Sequence, residues 1–240
     1  MEQEKQIWHK IVRRRIILFL EEFIMEILLA LALLTFSFAV RAAFFSNDHD
    51  FDNYVFSFIK QHISTRNTDF LLFITYLGKP SFLIPINLLL LAFFLIKKNK
   101  RFSIRVIALS LSSLCLMLLL KNSIQRTRPE DPLLSAVKGY SFPSGHALMS
   151  VIFYGLLIYI AWHEIKNRWL RIGAIALFAI LILLISYSRI YLRVHYPSDV
   201  IAGLSIGFIW LVVSMWLINQ IEARRAKRKL IPETPQNHQV

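Results

Sequence analysis

The chain has 240 residues and a formal net charge of +13, and 56% of its residues are hydrophobic. Several apolar runs approach the roughly 20 residues that cross a bilayer as a helix, which a soluble domain of this length would not need. With 7 Gly and 8 Pro, fibrous and low-complexity classes are excluded. The basic residues cluster beside apolar segments instead of forming one stripe, which argues against a nucleic-acid partner. We therefore expect an integral membrane protein.

The N-terminal segment, residues 1–22, is basic and carries Trp8 among apolar residues. This pattern predicts an interfacial helix that leads into the membrane. Acidic residues interrupt the apolar stretch that follows, and no small-residue cleavage site is evident, so a cleaved signal peptide is not expected. The first membrane span then covers residues 23–45.

A polar connection at 46–68 follows, and its apolar residues predict a short helix lying on the membrane surface. The next span, 69–96, contains Gly78-Lys79-Pro80, which predicts a break in the helix near its outer end. At such a break Lys79 can reach water, and neighbouring helices can satisfy the backbone groups that are freed.

Four further spans complete the predicted fold, an all-α integral membrane bundle of six transmembrane helices. They cover residues 103–120, 146–162, 172–187 and 198–219. The predicted parts of the chain are a basic segment at 1–22, the six-span domain at 23–220 and a basic tail at 221–240. The tail contains two prolines and is expected to be disordered past Leu230.

The placement of Lys and Arg predicts the orientation, because cytoplasmic connections carry an excess of both. With six spans, the N-terminal segment, the second-to-third connection, the fourth-to-fifth connection and the tail lie on one side. These four segments hold most of the basic residues. Both termini are therefore predicted to be cytoplasmic.

Three short polar islands stand at the ends of apolar runs, all on the predicted outer face. They are residues 121–129, 143–146 and 188–199. Each has an ordinary explanation alone: a snorkelling cation, a turn that caps a helix, or a polar loop. Together they place cations, two histidines and a carboxylate on the side where positive residues are not expected. The combination indicates an anionic ligand.

A phosphate group fits the cations and the turn. Arg128 and Arg189 each offer a planar fork for two phosphate oxygens, and Lys121 adds a compact charge. Ser144 and Gly145 open a predicted helix whose backbone N–H groups can face an anion, and Gly145 permits close approach. These five residues are the predicted phosphate ligands.

The two histidines fit the roles of nucleophile and acid in phosphoryl transfer. Asp199 follows His195 by four residues, so it can orient the ring and leave the other nitrogen free to attack. His146 has no nearby carboxylate and suits the acid that protonates the leaving oxygen. The surrounding cations disfavour a divalent ion, and neither Glu130 nor Asp131 has ligand spacing, so no metal or other cofactor is predicted.

The three motifs resemble the type 2 phosphatidic acid phosphatase superfamily, the membrane lipid phosphate phosphatases. The family pattern is Lys, six residues, Arg-Pro; then Pro-Ser-Gly-His; then Ser-Arg, five residues, His, three residues, Asp. This chain matches every motif position from Lys121 to Asp199. The resemblance implies that His195 forms a phosphohistidine, that Asp199 supports it and that His146 protonates the leaving alkoxide, without a metal.

The resemblance also implies an activity, and the predicted orientation gives its location. The expected reaction is hydrolysis of a lipid phosphate at the outer face of a bacterial cytoplasmic membrane. Candidate substrates are undecaprenyl diphosphate, phosphatidylglycerol phosphate, phosphatidic acid and a lipid A phosphate. Two alternatives stay open: a phosphotransferase that passes the phosphoryl group to another lipid, and an anionic-lipid binding or transport protein without turnover. The oligomeric state is not predicted.

Overall fold

The computed structural model describes residues 1–45, 50–134 and 138–230, with side chains except at 2–7, 9–22 and 228–230. Within these ranges the chain forms eight α-helices and no strand, which confirms the predicted all-α class. The helices are α1 (Glu2–Phe44), α2 (Asp50–Lys60), α3 (Thr65–Tyr76), α4 (Pro80–Ile96), α5 (Lys100–Ile124), α6 (Gly145–Glu164), α7 (Arg168–Tyr191) and α8 (Pro197–Leu230). The short helix predicted in the first polar connection is α2. The predicted disorder past Leu230 lies outside the described residues.

Five helical segments in the described chain are long and apolar enough to cross a membrane. They are Phe23–Phe44, Lys100–Ile124, Gly145–Glu164, Arg168–Tyr191 and Pro197–Lys227. The pair α3 and α4 meets the same criterion when taken together, and its two helices are bent by 41° at their junction. The described residues therefore provide five candidate spans, or six if this pair is one broken span.

The predicted break at Gly78-Lys79-Pro80 is present between α3 and α4. Helix α3 ends at Tyr76, and Pro80 begins α4 at a position where its missing N–H costs no helical hydrogen bond. The hydroxyl of Tyr154 on α6 donates to Leu77 O at 3.1 Å. A neighbouring helix thus satisfies one of the carbonyls that the break frees.

Several helices run past the ends that hydropathy predicts. Helix α1 continues through the 22–23 boundary and α8 through the 220–221 boundary, so the predicted parts of the chain meet within helices. Helix α7 begins early because Asn167 Oδ1 accepts the backbone N–H groups of Trp169 and Leu170 at 2.9 and 3.2 Å. Hydropathy detects only the apolar window, whereas charged residues with good helix propensity extend a helix beyond it.

Helix α6 lies at the centre of the bundle and packs against α5, α7 and α8. Two glycines of α8 allow a close approach to α6. A Cβ at Gly203 would lie 2.6 Å from Ser144 O, and one at Gly207 would lie 3.0 Å from Leu148 O. Because these positions lack side chains, the start of α6 packs closely against α8, which brings the second and third polar islands together.

Candidate active site

The three polar islands meet at one end of the bundle, where α5 and α7 end and α6 and α8 begin. Two backbone hydrogen bonds hold this region together. Ser144 N donates to Asp199 O at 3.0 Å, and Ser141 N donates to Arg126 O at 2.8 Å. The predicted site residues therefore share one end of the molecule.

His195 and Asp199 are neighbours and are both buried. Nδ1 of His195 is 3.7 Å from Oδ2 of Asp199, which is longer than a hydrogen bond. Ser141 lies between them, because its Oγ is 3.3 Å from His195 Nδ1 and donates to Asp199 Oδ2 at 2.5 Å. The backbone N–H of Tyr196 donates to the same carboxylate oxygen at 2.9 Å. Asp199 can therefore orient the ring, partly through a serine that the sequence did not indicate.

Arg128 fixes the opposite side of the His195 ring. Its Nη1 donates to Val194 O at 2.6 Å and lies 3.3 Å from His195 Nε2, while its Nε donates to Gly139 O at 2.9 Å. A guanidinium has no acceptor, so the Nε2 that faces it is the unprotonated nitrogen and Nδ1 carries the hydrogen toward Ser141. This tautomer leaves Nε2 as the ring nitrogen with an available lone pair.

Electrostatics favour the neutral form of this ring. Burial lowers the pKa of His195 to about 4; the nearby Asp199 carboxylate opposes the shift, and the charges of Arg189 and Arg128 add to it. The ring is therefore neutral near pH 7, which is the form that can attack phosphorus. Burial also lowers the pKa of Arg128, but a guanidinium starts so high that it stays charged.

Three buried polar atoms of the predicted site have no hydrogen-bond partner within the described chain. They are Arg189 Nε, Ser144 Oγ and His146 Nε2. Arg189 is held through its other end, where Nη1 donates to Thr75 Oγ1 at 2.6 Å. An unpaired buried polar atom costs about 1–3 kcal/mol, and a tetrahedral anion bound among these three would pair them. These unpaired donors and polar atoms are compatible with the predicted anion site.

Lys121 and Gly145 bring the first and second islands together at the start of α6. Lys121 Nζ donates to Tyr140 O at 3.1 Å. A Cβ at Gly145 would lie 2.9 Å from Met117 Sδ and 3.6 Å from Lys121 Cε. The missing side chain at Gly145 thus leaves room for Met117 and Lys121 to pack against the start of α6.

The break between α3 and α4 adjoins the site. A Cβ at Gly78 would lie 3.1 Å from His146 Cδ2, so the break packs directly against this histidine. The charge of Lys79, the next residue, acts on His146 together with the charges of Arg189 and Lys121. The α3–α4 pair therefore adjoins the site although it contains none of the three islands.

Sequence reasoning missed five polar residues that contact the site. They are Asp52, Thr75, Arg126, Ser141 and Ser198. Arg126 lies inside the first island and Ser198 inside the third, and these places were the signals that the sequence offered. Asp52 and Thr75 lie on α2 and α3, and no local spacing connects either helix with the islands.

The described chain thus combines helices long enough to cross a membrane with a buried histidine that lies beside an arginine. Residues 102–223, which include all three islands, match the PAP2 superfamily. The chain belongs to this superfamily, and the predicted enzyme class, a phosphatase of lipid phosphates, is confirmed.

Individual relatives show how far the similarity extends. Phosphatidylglycerophosphatase B of Bacillus subtilis (strain 168) is 28% identical over 162 residues, 64% of this chain and 76% of that protein. An undecaprenyl-diphosphatase of Sulfolobus acidocaldarius is 30% identical over 174 residues, 70% of this chain and 76% of that protein. The crystal structure of a transmembrane PAP2-type phosphatidylglycerolphosphate phosphatase from Bacillus subtilis superposes with a TM-score of 0.71 at 22% identity, covering 80% of this chain and 96% of that chain. The last similarity shows the fold.

Proposed function

We propose that this protein hydrolyses a lipid phosphate or diphosphate at the outer face of the cytoplasmic membrane through a phosphohistidine at His195. The observation that supports the proposal is the set of groups around the His195 imidazole ring. Its Nε2 faces Arg128, and its Nδ1 is backed by Ser141 and Asp199. A neutral, oriented imidazole beside fixed cations suits phosphoryl transfer to a nitrogen nucleophile.

The reaction has two steps. In the first, His195 Nε2 bonds to phosphorus, the bond from phosphorus to the lipid oxygen breaks, and His146 gives a proton to that oxygen. In the second, water attacks phosphorus while His146 takes a proton, the phosphorus–nitrogen bond breaks and inorganic phosphate leaves. The groups that stabilise the phosphoryl oxygens are Lys121, Arg128, Arg189 and the start of α6 at Ser144 and Gly145.

The proposed topology has six spans, with α3 and α4 forming one bent span and both termini in the cytoplasm. The basic α4–α5 and α6–α7 connections lie at the helix ends opposite the site, which supports this orientation. The catalytic domain is then 23–220, and the segments 1–22 and 221–240 face the cytoplasm. The site consequently faces the extracytoplasmic side.

Among the candidate substrates, Lys79 favours a diphosphate. In-line displacement puts the leaving oxygen opposite His195, on the side of His146. Lys79 follows the glycine that packs on His146, and its charge acts on that histidine. A diphosphate leaves as a lipid phosphate whose negative charge Lys79 can offset, whereas a protonated lipid alcohol brings no charge. Relatives named for undecaprenyl diphosphate and phosphatidylglycerophosphate support a lipid substrate.

Phosphate release from a panel of lipid phosphates, measured on purified protein with a chelator present, tests the proposal. We expect activity to persist in the chelator and His195→Gln to lose at least about 10³-fold, because no other group supplies the nucleophile. Rapid quenching should trap an acid-labile phosphoprotein in the wild type and not in the variant. Unchanged hydrolysis by folded His195→Gln, or activity lost in chelator and restored by a divalent ion, contradicts the proposal.

The same experiment separates the two alternatives. A lipid phosphotransferase would move the phosphoryl group to an added acceptor lipid, whereas a hydrolase releases inorganic phosphate with or without that lipid. A binding or transport protein would release no phosphate at all.

A further inference from the structure

Arg126 is the centre of a buried polar cluster of which the mechanism above uses one member, Asp199. Its Nη1 donates to Asp199 Oδ1 at 2.6 Å and to Ser198 Oγ at 2.8 Å, and its Nη2 donates to Asp52 Oδ2 at 2.9 Å. The guanidinium carbon lies 4.1 Å from the centroid of the Tyr196 ring. Arg126 is 8% exposed, and both carboxylates are 0% exposed.

Asp52 ties α2 to the first turn of α8. Its Oδ1 accepts the backbone N–H of Ser198 at 2.8 Å, and its Oδ2 accepts the Ser198 hydroxyl at 2.7 Å. The first N–H groups of a helix lack partners within it, so a carboxylate is favourable at this position. Because Ser198 and Asp199 are consecutive, fixing the first also fixes the backbone of the second.

The cluster divides the two oxygens of the Asp199 carboxylate between two tasks. Arg126 holds Oδ1, while Oδ2 faces Ser141 and the His195 ring. A carboxylate that is fixed at one oxygen cannot rotate, so the other oxygen stays directed at the histidine. Arg126 also supplies the counter-charge without which a buried carboxylate would be costly.

The contacts of Arg126 distinguish it from the arginines assigned to phosphate. Its fork is engaged by two protein carboxylates and a hydroxyl. By contrast, Arg189 keeps a buried Nε with no hydrogen-bond partner in the described chain. The site therefore contains two kinds of arginine, and Arg126 serves the protein's own carboxylates.

We propose that Arg126 and Asp52 are positioning residues that hold Asp199 in the orientation that supports His195, which makes α2 part of the active-site framework. This inference rests on the proposed function, because Arg126 acts only through Asp199. A residue of this kind affects the chemical step and not substrate binding, so its loss lowers kcat with little change in KM.

The first test compares Arg126→Gln with Arg105→Gln in the purified full-length protein, using phosphate release from dioctanoyl phosphatidic acid. Arg105 is a matched control, because it is also buried and donates to Glu222 at 2.7 and 3.0 Å, near the opposite end of the bundle. We expect Arg126→Gln to lower kcat by about 100-fold with KM within about twofold. Arg105→Gln should keep kcat within about threefold of the wild type, since it leaves the site intact.

A double variant shows whether the effect passes through Asp199. In an Asp199→Asn background, Arg126→Gln should add less than about twofold to the loss, because the group it positions is already impaired. A further loss as large as that in the wild-type background overturns the inference. An unchanged kcat in folded Arg126→Gln, a rise in KM alone, or an equal loss in Arg105→Gln also overturns it.

Asp52→Asn tests whether α2 helps to position Asp199. It also keeps the inference falsifiable if Arg126→Gln does not fold. The amide weakens the charge-assisted bonds while keeping the volume, so we expect kcat to fall by about fivefold with KM unchanged. An unchanged kcat in Asp52→Asn would show that α2 does not help to position Asp199. His195→Gln separates the two proposals: an active His195→Gln overturns the proposed function, whereas an inactive one beside a fully active Arg126→Gln overturns this inference alone.

Discussion

At the residue scale, Ser141 changes how His195 and Asp199 act together. Its hydroxyl is within reach of the Nδ1–H group of the ring and donates to Asp199, so the carboxylate reaches the ring through a short relay. The link to Asp199 is charge-assisted and therefore stronger than one between neutral groups. The backbone N–H of Ser141 also donates to Arg126 O, which ties the relay to the first island.

The burial of His195 predicts a specific pH dependence. Because burial lowers the pKa of His195 to about 4, we expect kcat/KM to fall through this residue only as the pH drops toward 4, where the protonated ring cannot attack. The measurement is the pH–rate profile of two substrates whose phosphate groups titrate at different pH. The acid limb of the profile that reports protonation of His195 should lie at the same pH for both substrates. A shared limb at about 6.5, the ordinary value for histidine, would contradict a buried neutral ring.

At the element scale, helix α3 and the break that follows it contact two of the predicted site residues. Helix α3 supplies Thr75 to Arg189, and the α3–α4 break sets Gly78 against His146. Non-helical backbone at membrane depth is tolerated where protein buries it or water reaches it, and this break satisfies the first condition through the Tyr154 hydroxyl. The break therefore has a role in the site as well as in the shape of the span.

The position of Lys79 in this break predicts substrate preference. We expect Lys79→Gln to lower kcat/KM for farnesyl diphosphate by about tenfold and for farnesyl monophosphate by less than about twofold, because only the first releases a charged leaving group. Lys60→Gln is the matched control, since Lys60 is an exposed lysine at the end of α2. Equal losses with both substrates would show that Lys79 serves the phosphate that they share.

At the scale of the whole molecule, one central helix carries the architecture. Helix α6 packs against its neighbours along much of its length, and its first turn touches α8 where Gly203 and Gly207 leave room. Large apolar side chains remain exposed on α4 and α7, such as Leu88 and Leu183, and they are suited to contact with lipid chains. The site thus lies at the end of a bundle whose outer surface is apolar.

Single cysteines test the proposed topology in a Cys115→Ser background. We expect Arg66→Cys, at the start of α3, to react with a membrane-impermeant maleimide in intact cells, because it lies at the end that carries the site. Lys97→Cys and Lys166→Cys, both exposed at the opposite end, should react only after permeabilisation. Labelling of Lys97→Cys from outside would mean that α3 and α4 form a re-entrant segment, and the count of six spans would be wrong.

The sequence by itself determined the features that depend on neighbouring positions in the chain. Apolar length marked the membrane helices, Gly78-Lys79-Pro80 marked the break, and fixed spacing marked the motifs from Lys121 to Asp199. Helix ends were less predictable, as at Asn167, because capping groups and charged residues extend helices beyond their apolar windows.

Only the tertiary structure decided which distant groups support those motifs. Asp52 reaches Ser198 across 146 positions of sequence, and Thr75 reaches Arg189 across 114. No periodicity or turn pattern connects such pairs, because their contact depends on how the helices pack. The local motifs therefore identify the candidate reactive residues of the site. The orientation of Asp199 and His195, by contrast, depends on the packing of α2, α6 and α8 around them.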